Sequence, residues 1–210
     1  MVIQKINIWR GKVYLLFDNG EKLQFAKPVF EDARLKVGDE INCEQKENLI
    51  NINEIFLIKA SALRMLARRE HSSKELNDKL KTRGYSAGNI KKVVAELVEL
   101  NLLSDERFAE IYVRSRFNYK KKSPKAIYYD LLKKGVDKTL IENELDSLDE
   151  EDVFANAREL AAKKLKSLKA RNSTDIPAKL RSHLTYKAYS TRIINRIIEE
   201  VRKEINNAEF

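Results

Sequence analysis

The first apolar positions of the chain come in short runs separated by turn signals. Ile3, Ile6 and Ile8 with Trp9 form one run, and Val13-Tyr14-Leu15-Leu16-Phe17 form a second. Arg10-Gly11-Lys12 lies between them as a turn, and Asp18-Asn19-Gly20 follows with an Asn-Gly pair that tolerates positive φ. Leu23 and Phe25 continue on a third strand, so the simplest arrangement is a three-stranded meander. Pro28 to Arg34 reads as a short helix, and Leu35-Lys36-Val37-Gly38-Asp39 as a turn into Glu40-Ile41. Three strands alone are marginally stable. They are expected to lean on Leu49 to Leu57, which has helical periodicity.

From Lys59 onward the period is helical throughout. Ala62, Leu63, Leu66 and Ala67 form one apolar face, and that helix is expected to end at Arg68-Arg69. Ser72-Ser73-Lys74-Glu75 is an N-cap signature, followed by Leu76 and Leu80 at four-residue spacing. Gly84 ends the second helix, Ser86 is placed to cap the third, and Ile90, Val93, Val94, Leu97 and Leu100 face inward. The pattern recurs with an offset of 51, carrying Leu76 to Ile127, Leu80 to Leu131, Gly84 to Gly135 and Ile90 to Ile141. A third copy at offset 104 takes Leu76 to Leu180, Leu80 to Leu184 and Ile90 to Ile194. There Ala188 replaces the glycine, making a positive φ more costly. Lys169 to Asp175 reads as a polar loop within this copy. The expected class is mainly α: a small β-containing N-terminal domain (1–58) precedes three-helix repeats at 59–103, 104–148 and 149–210.

Charge adds a partner to this picture. Residues 1–58 hold 8 Lys/Arg against 9 Asp/Glu, whereas residues 59–210 hold 33 against 23. The helical part therefore carries the whole excess of the +9 chain, which favours an anionic partner such as nucleic acid or a protein–nucleic acid assembly. The densest cluster runs from Ile111 to Tyr129, where Arg114, Arg116, Lys120, Lys121, Lys122 and Lys125 occur with no acidic residue. It forms the turn between the first two helices of the middle repeat, with Ser123 as N-cap and Pro124 at the first helical position. Against the Glu70-His71 connection of the first repeat, this turn reads as longer as well as more basic. One reading puts these side chains on phosphate or an acidic protein surface, and the other leaves them solvated. Arg68, Arg69, Arg83, Lys133 and Lys134 are lesser candidates, since cations at helix C-termini also stabilise the helix dipole. Tyr119, in the turn, is expected to pack on Pro124 rather than to stack on a base.

Nothing points to catalysis. His71 and His183 have no Cys or His at ligand spacing, Cys43 stands alone, and no glycine-rich nucleotide motif occurs, so neither a metal nor another cofactor is expected. Asp149-Glu150-Glu151-Asp152 reads as the negative first turn of a helix. A single cysteine, no signal pattern and no long apolar run fit a cytoplasmic protein off the membrane.

Three segments in this order, ALRMLARREHSSKELNDKLKTRGY (Ala62 to Tyr85), LLSDERFAEIYVRSR (Leu102 to Arg116) and LLKKGVD (Leu131 to Asp137), resemble the RecX family, regulators of the bacterial recombinase RecA. The resemblance is good from Lys59 to Leu148 and looser beyond, and the meander with its LKVGDEI turn is similar to an N-terminal extension found in the family. The protein is expected to be a monomer, and the resemblance implies a curved array of three-helix repeats that lies in the groove of the RecA–DNA filament. There it would modulate filament growth, ATP hydrolysis, strand exchange and coprotease activity, usually as an inhibitor. A sequence-independent binder of single- or double-stranded DNA with no recombinase partner is the alternative, and a helical scaffold working through apolar grooves is a third class.

Overall fold

The structure, a computed structural model, describes residues 1–171 and 174–208, with side chains described through 204. It divides into two compact units, Met1–Leu103 and Ser104–Phe210.

The first unit opens with strands β1 (Ile3–Trp9), β2 (Lys12–Phe17) and β3 (Lys22–Ala26), an antiparallel meander in the order β1-β2-β3. Arg10 and Gly11 turn the first hairpin with φ of 49° and 73°. Two positive φ values match the right-handed twist of the flanking strands. Val13, Leu15, Phe17 and Phe25 point to one side and are buried together with Ile3, Val29 and Ile41. Helix α1 (Lys27–Ala33) carries Pro28 in its first turn, which its fixed φ suits. The start of β1 is paired by the 38–40 segment: Ile3 donates to the Asp39 carbonyl and Gly38 to the Ile3 carbonyl.

Helix α2 (Cys43–Leu66) is capped by Asn42 and Gln45 in a reciprocal box and runs for 24 residues through Ile58 without a break. Its first half covers the sheet. There the Asn53 side chain accepts the Ala26 N–H at 2.8 Å and donates to the Gln24 carbonyl at 3.4 Å. Two backbone groups on the outer edge of β3 are thereby satisfied. Its second half joins a helical core of Ile58, Ala62, Leu76, Leu80, Ile90, Val93, Leu97 and Leu103 with α3 (Ser73–Thr82) and α4 (Ala87–Glu99). Meander and first repeat thus share one helix, because the same element has a sheet-facing end and a bundle-facing end. Ser86 does not cap α4 with its side chain. Its hydroxyl and N–H both donate to the Glu54 carboxylate, at 2.6 and 2.8 Å.

The second unit contains α5 (Asp105–Asn118), α6 (Pro124–Lys133), α7 (Lys138–Asp146), α8 (Glu150–Lys169), α9 (Ile176–Tyr186) and α10 (Thr191–Ala208) around one apolar core. The repeat register survives as burial: Leu76, Ile127 and Leu180 are each 0% exposed, as are Leu80, Leu131 and Leu184. Ser72 and Ser123 cap α3 and α6 by accepting the N–H three residues on, at 3.1 and 3.2 Å. Gly84 and Gly135 follow α3 and α6 with φ of 84° and 77°, and Ala188 follows α9 at 60°. The third repeat therefore makes the same helix stop without the residue that makes it cheap. Asp149 caps α8, and the following acids also pair with α10, Glu150 with Arg192 at 2.9 Å and Glu151 with Arg196 at 2.8 Å. Of the expected polar loop Lys169 to Asp175, Asn172 and Ser173 lie outside the described residues.

α2 ends at Leu66, not at Arg68-Arg69, since Arg68 already turns its N–H to the Met65 carbonyl at 3.1 Å. The first connection is then 67–72 and its counterpart in the second unit 119–123, so the basic turn contains no insertion.

Candidate nucleic-acid interface

The basic turn is held by its carbonyls. Lys121 takes a left-handed φ of 50°, and Lys122 donates its N–H to the Arg116 carbonyl at 3.0 Å, closing the end of α5. The Lys121 carbonyl accepts the Tyr189 hydroxyl at 2.7 Å, and Ser123 donates its hydroxyl to the Lys187 carbonyl at 2.8 Å. Burial pushes the Tyr189 phenol pKa up, which keeps it a donor. Asn156 of α8 donates to the Phe117 carbonyl at 3.2 Å. With its backbone fixed from α8 and from the connection between α9 and α10, the turn directs its side chains into a groove of about 870 Å3.

Arg116, Lys120, Lys121, Lys122 and Lys133 line that groove together with Lys187, against one carboxylate, Asp130. Tyr112 and Tyr186 supply aromatic surface there, Tyr186 being 84% exposed. The cations differ in how free they are. Lys120 is exposed and has no acidic partner among the described residues. Lys122 pairs with Asp130 at 2.5 Å, which also accepts the Tyr112 hydroxyl at 3.2 Å. Lys121 pairs with Glu159 at 3.4 Å. Hydrogen bonds from Lys163 and then Lys121 hold that carboxyl below its usual range. The Arg116 guanidinium lies 4.8 Å from the Tyr112 ring centre, with its buried Nε unpaired. Lys134 sits over the Phe108 and Tyr112 rings at 5.8 and 5.5 Å.

The acid-free window therefore overstates the free charge of the stretch, because Glu110, Asp130 and Glu159 reach it from outside. Glu110 pairs with Arg114 on the exposed side of α5. Lys125 is exposed but lines a separate hollow at the starts of α6 and α10. Tyr119 is 82% exposed, so it does not pack on Pro124 as expected; as the first residue past α5 it projects into solvent.

The remaining candidates belong to the first unit. Arg68 is exposed. Arg69 grips both oxygens of Glu75, at 2.7 and 3.1 Å, and donates to the Glu70 carbonyl at 2.9 Å. Arg83 donates to the buried Ser61 hydroxyl. Two of the three are thus spent on local structure.

Lys187 and Tyr186 were not among the sequence candidates, although the register pointed to one of them. Arg83, Lys134 and Lys187 are the residues that cap the C-termini of α3, α6 and α9. Following the column of Arg83 and Lys134 into the third copy leads to Lys187. No comparable signal marked Tyr186.

Among the described residues no cluster of His, Cys, Asp and Glu could hold a metal ion, and no helix is long and apolar enough to cross a membrane. The chemistry of the groove is that of anion binding with room for aromatic stacking.

Models of two three-helix domains match the chain, that of the first RecX domain at residues 59–97 and that of the second at 104–145. Regulatory protein RecX of Clostridium botulinum (strain Eklund 17B / Type B) is 34% identical over 200 residues, covering 94% of this chain and 92% of the relative. Its counterpart in Clostridium perfringens (strain SM101 / Type A) is 31% identical over 211 residues, covering 98% and 94%. The crystal structure of RecX from Lactobacillus salivarius superposes with a TM-score of 0.63 at 30% identity, covering 72% of this chain and 98% of that one. A crystal structure of regulatory protein RecX gives 0.71 at 23% identity, covering 94% and 98%.

Proposed function

The chain belongs to the RecX family of regulatory proteins, and from that premise we propose that it regulates the RecA recombinase by binding the RecA–DNA filament. The protein lies in the filament groove, bridges neighbouring protomers and DNA phosphates, and restrains filament growth, ATP hydrolysis, strand exchange and coprotease activity. It acts by occupancy, without catalysis, as a cytoplasmic monomer. The observation that carries the site assignment is the groove of the second unit, where six cations face one carboxylate. Such a surface gains affinity by releasing counterions from phosphates, without reading base sequence. Arg116, Lys120, Lys121, Lys122 and Lys133 are the phosphate-facing residues, with Lys187 added. Lys125 and Arg114 contribute from the flanks, whereas Arg69, Arg83 and Lys134 are engaged with Glu75, Ser61 and the Phe108 and Tyr112 rings of neighbouring helices, and Arg68 lies apart from the groove in the first unit.

Affinity for bare single-stranded DNA and for the RecA–DNA filament, measured at matched salt, tests the reading. The filament is expected to bind at least tenfold more tightly, and both interactions are expected to weaken as salt rises. Equal affinity for the two would make the protein a general DNA binder with no recombinase partner.

A further inference from the structure

The meander of the first unit has one face in the core and one in solvent, and the solvent face has an unusual composition. Strand register fixes its membership. Lys5 pairs across with Leu16, Asn7 with Tyr14 and Trp9 with Lys12 on β1 and β2. Leu16 then pairs with Lys22, Tyr14 with Gln24 and Lys12 with Ala26 on β3. Side chains directly across a sheet share a face, so this face carries Lys5, Lys12, Lys22, Trp9 and Tyr14, with no carboxylate.

Residues 1–58 are net acidic, yet their acids lie elsewhere. In the nearest turn, Asp18 accepts the N–H groups of Val2 and Asn19, and Glu21 pairs with Lys46 at 2.5 Å. Lys5, Lys12 and Lys22 are exposed and have no acidic partner among the described residues. Trp9 is 59% exposed, and the Arg10 guanidinium lies 4.4 Å from its ring, held there by the positive-φ turn.

We propose that this sheet face is a second binding site, distinct from the cationic groove, and that its ligand is single-stranded nucleic acid. Trp9 and Tyr14 occupy neighbouring strands at a diagonal position, roughly 7 Å apart. That spacing suits two successive unstacked bases, each laid on one ring, with the three lysines and Arg10 on the phosphates that flank them. A duplex hides its base faces and offers the rings nothing to stack on.

Trp9 is the only tryptophan in the chain, so its fluorescence reports this face alone. In the full-length protein, a twenty-nucleotide oligothymidine is expected to quench it saturably. A matched hairpin duplex and heparin are expected to leave it nearly unchanged. Tyr14→Ala weakens the interaction about tenfold and Tyr14→Phe restores it, both with unaltered circular dichroism. Replacing Lys5, Lys12 and Lys22 by Ala keeps the full amplitude of quenching but flattens the log–log salt dependence by about two. Replacing Lys120, Lys121 and Lys122 in the groove leaves the quenching as it was, so the two sites fail or stand separately. Absent quenching, equal quenching by heparin or duplex, or quenching lost with the groove variant each overturns the proposal.

Discussion

The connections between the first two helices of repeats one and two sit in the same frame and do different work. Each leads to a serine-capped helix, and each frame packs the same columns, Leu76 with Ile127 and Leu80 with Leu131. In the first connection Arg68 is exposed, but Arg69 is engaged locally. Arg69 clasps Glu75, which also lies 3.2 Å from the buried His71 Nδ1. In the second, Lys120 has no acidic partner among the described residues, and Lys121 and Lys122 reach carboxylates on α8 and α6. The repeat core thus fixes position, while the choice of partners for the connecting charges decides whether a copy is structural or presents a surface.

The largest expected effects lie in the core that the two repeats share. Leu80→Ala and Leu131→Ala are each expected to cost about 2–5 kcal/mol in urea unfolding, and to cost alike, because both side chains are fully buried at equivalent positions. A difference beyond about 2 kcal/mol between them would deny the equivalence of the repeats. Next come the helix stops. Gly135→Ala should destabilise by about 1 kcal/mol and Ala188→Gly should stabilise by up to about as much, read as opposite shifts of the melting temperature.

Smaller effects sharpen the difference in charge. Asp130→Asn removes the only carboxylate lining the groove among the described residues and frees Lys122, so DNA affinity at low salt should rise about threefold with no loss of fold. In the first connection, burial lowers the His71 pKa, with Arg69 and Lys79 acting the same way and Glu75 opposing. The folded state therefore resists a proton that the unfolded chain accepts below about pH 6.5. Stability should be flat above that pH and fall as pH drops from 6.5 toward the lower folded value. His71→Gln should remove that share of the slope in thermal melts at pH 7, 6 and 5. His183 in the second unit, lowered first by burial and then by Lys164 and Lys187, keeps its own share of the same sign.

Local signals were legible in the sequence wherever one helix or one turn contained them. The serine caps, the buried leucine columns, the meander and the glycine stops all follow from short-range spacing. What escaped was set by distant residues. Asn53 and Ile58 lie on one helix, yet one serves the sheet and the other the bundle, so a break between 58 and 59 looked natural where none occurs. Ser86 has the residue type of a cap, but Glu54 of α2 takes its hydroxyl. The pairing of Lys121 with Glu159 joins the turn to α8 and has no local mark. Lys187 was within reach, because the C-terminal column of Arg83 and Lys134 continues to it.

Filament binding is assigned to the cationic groove of the second unit. It is tested most directly by two triple variants assayed side by side for filament affinity against salt. Lys120, Lys122 and Lys187 replaced by Ala should lower affinity by more than about tenfold and flatten the log–log salt slope by about two. Arg68, Arg69 and Arg83 replaced by Ala should leave both within about threefold of the parent. Equal losses in the two variants, or an unchanged slope in the first, would contradict the account.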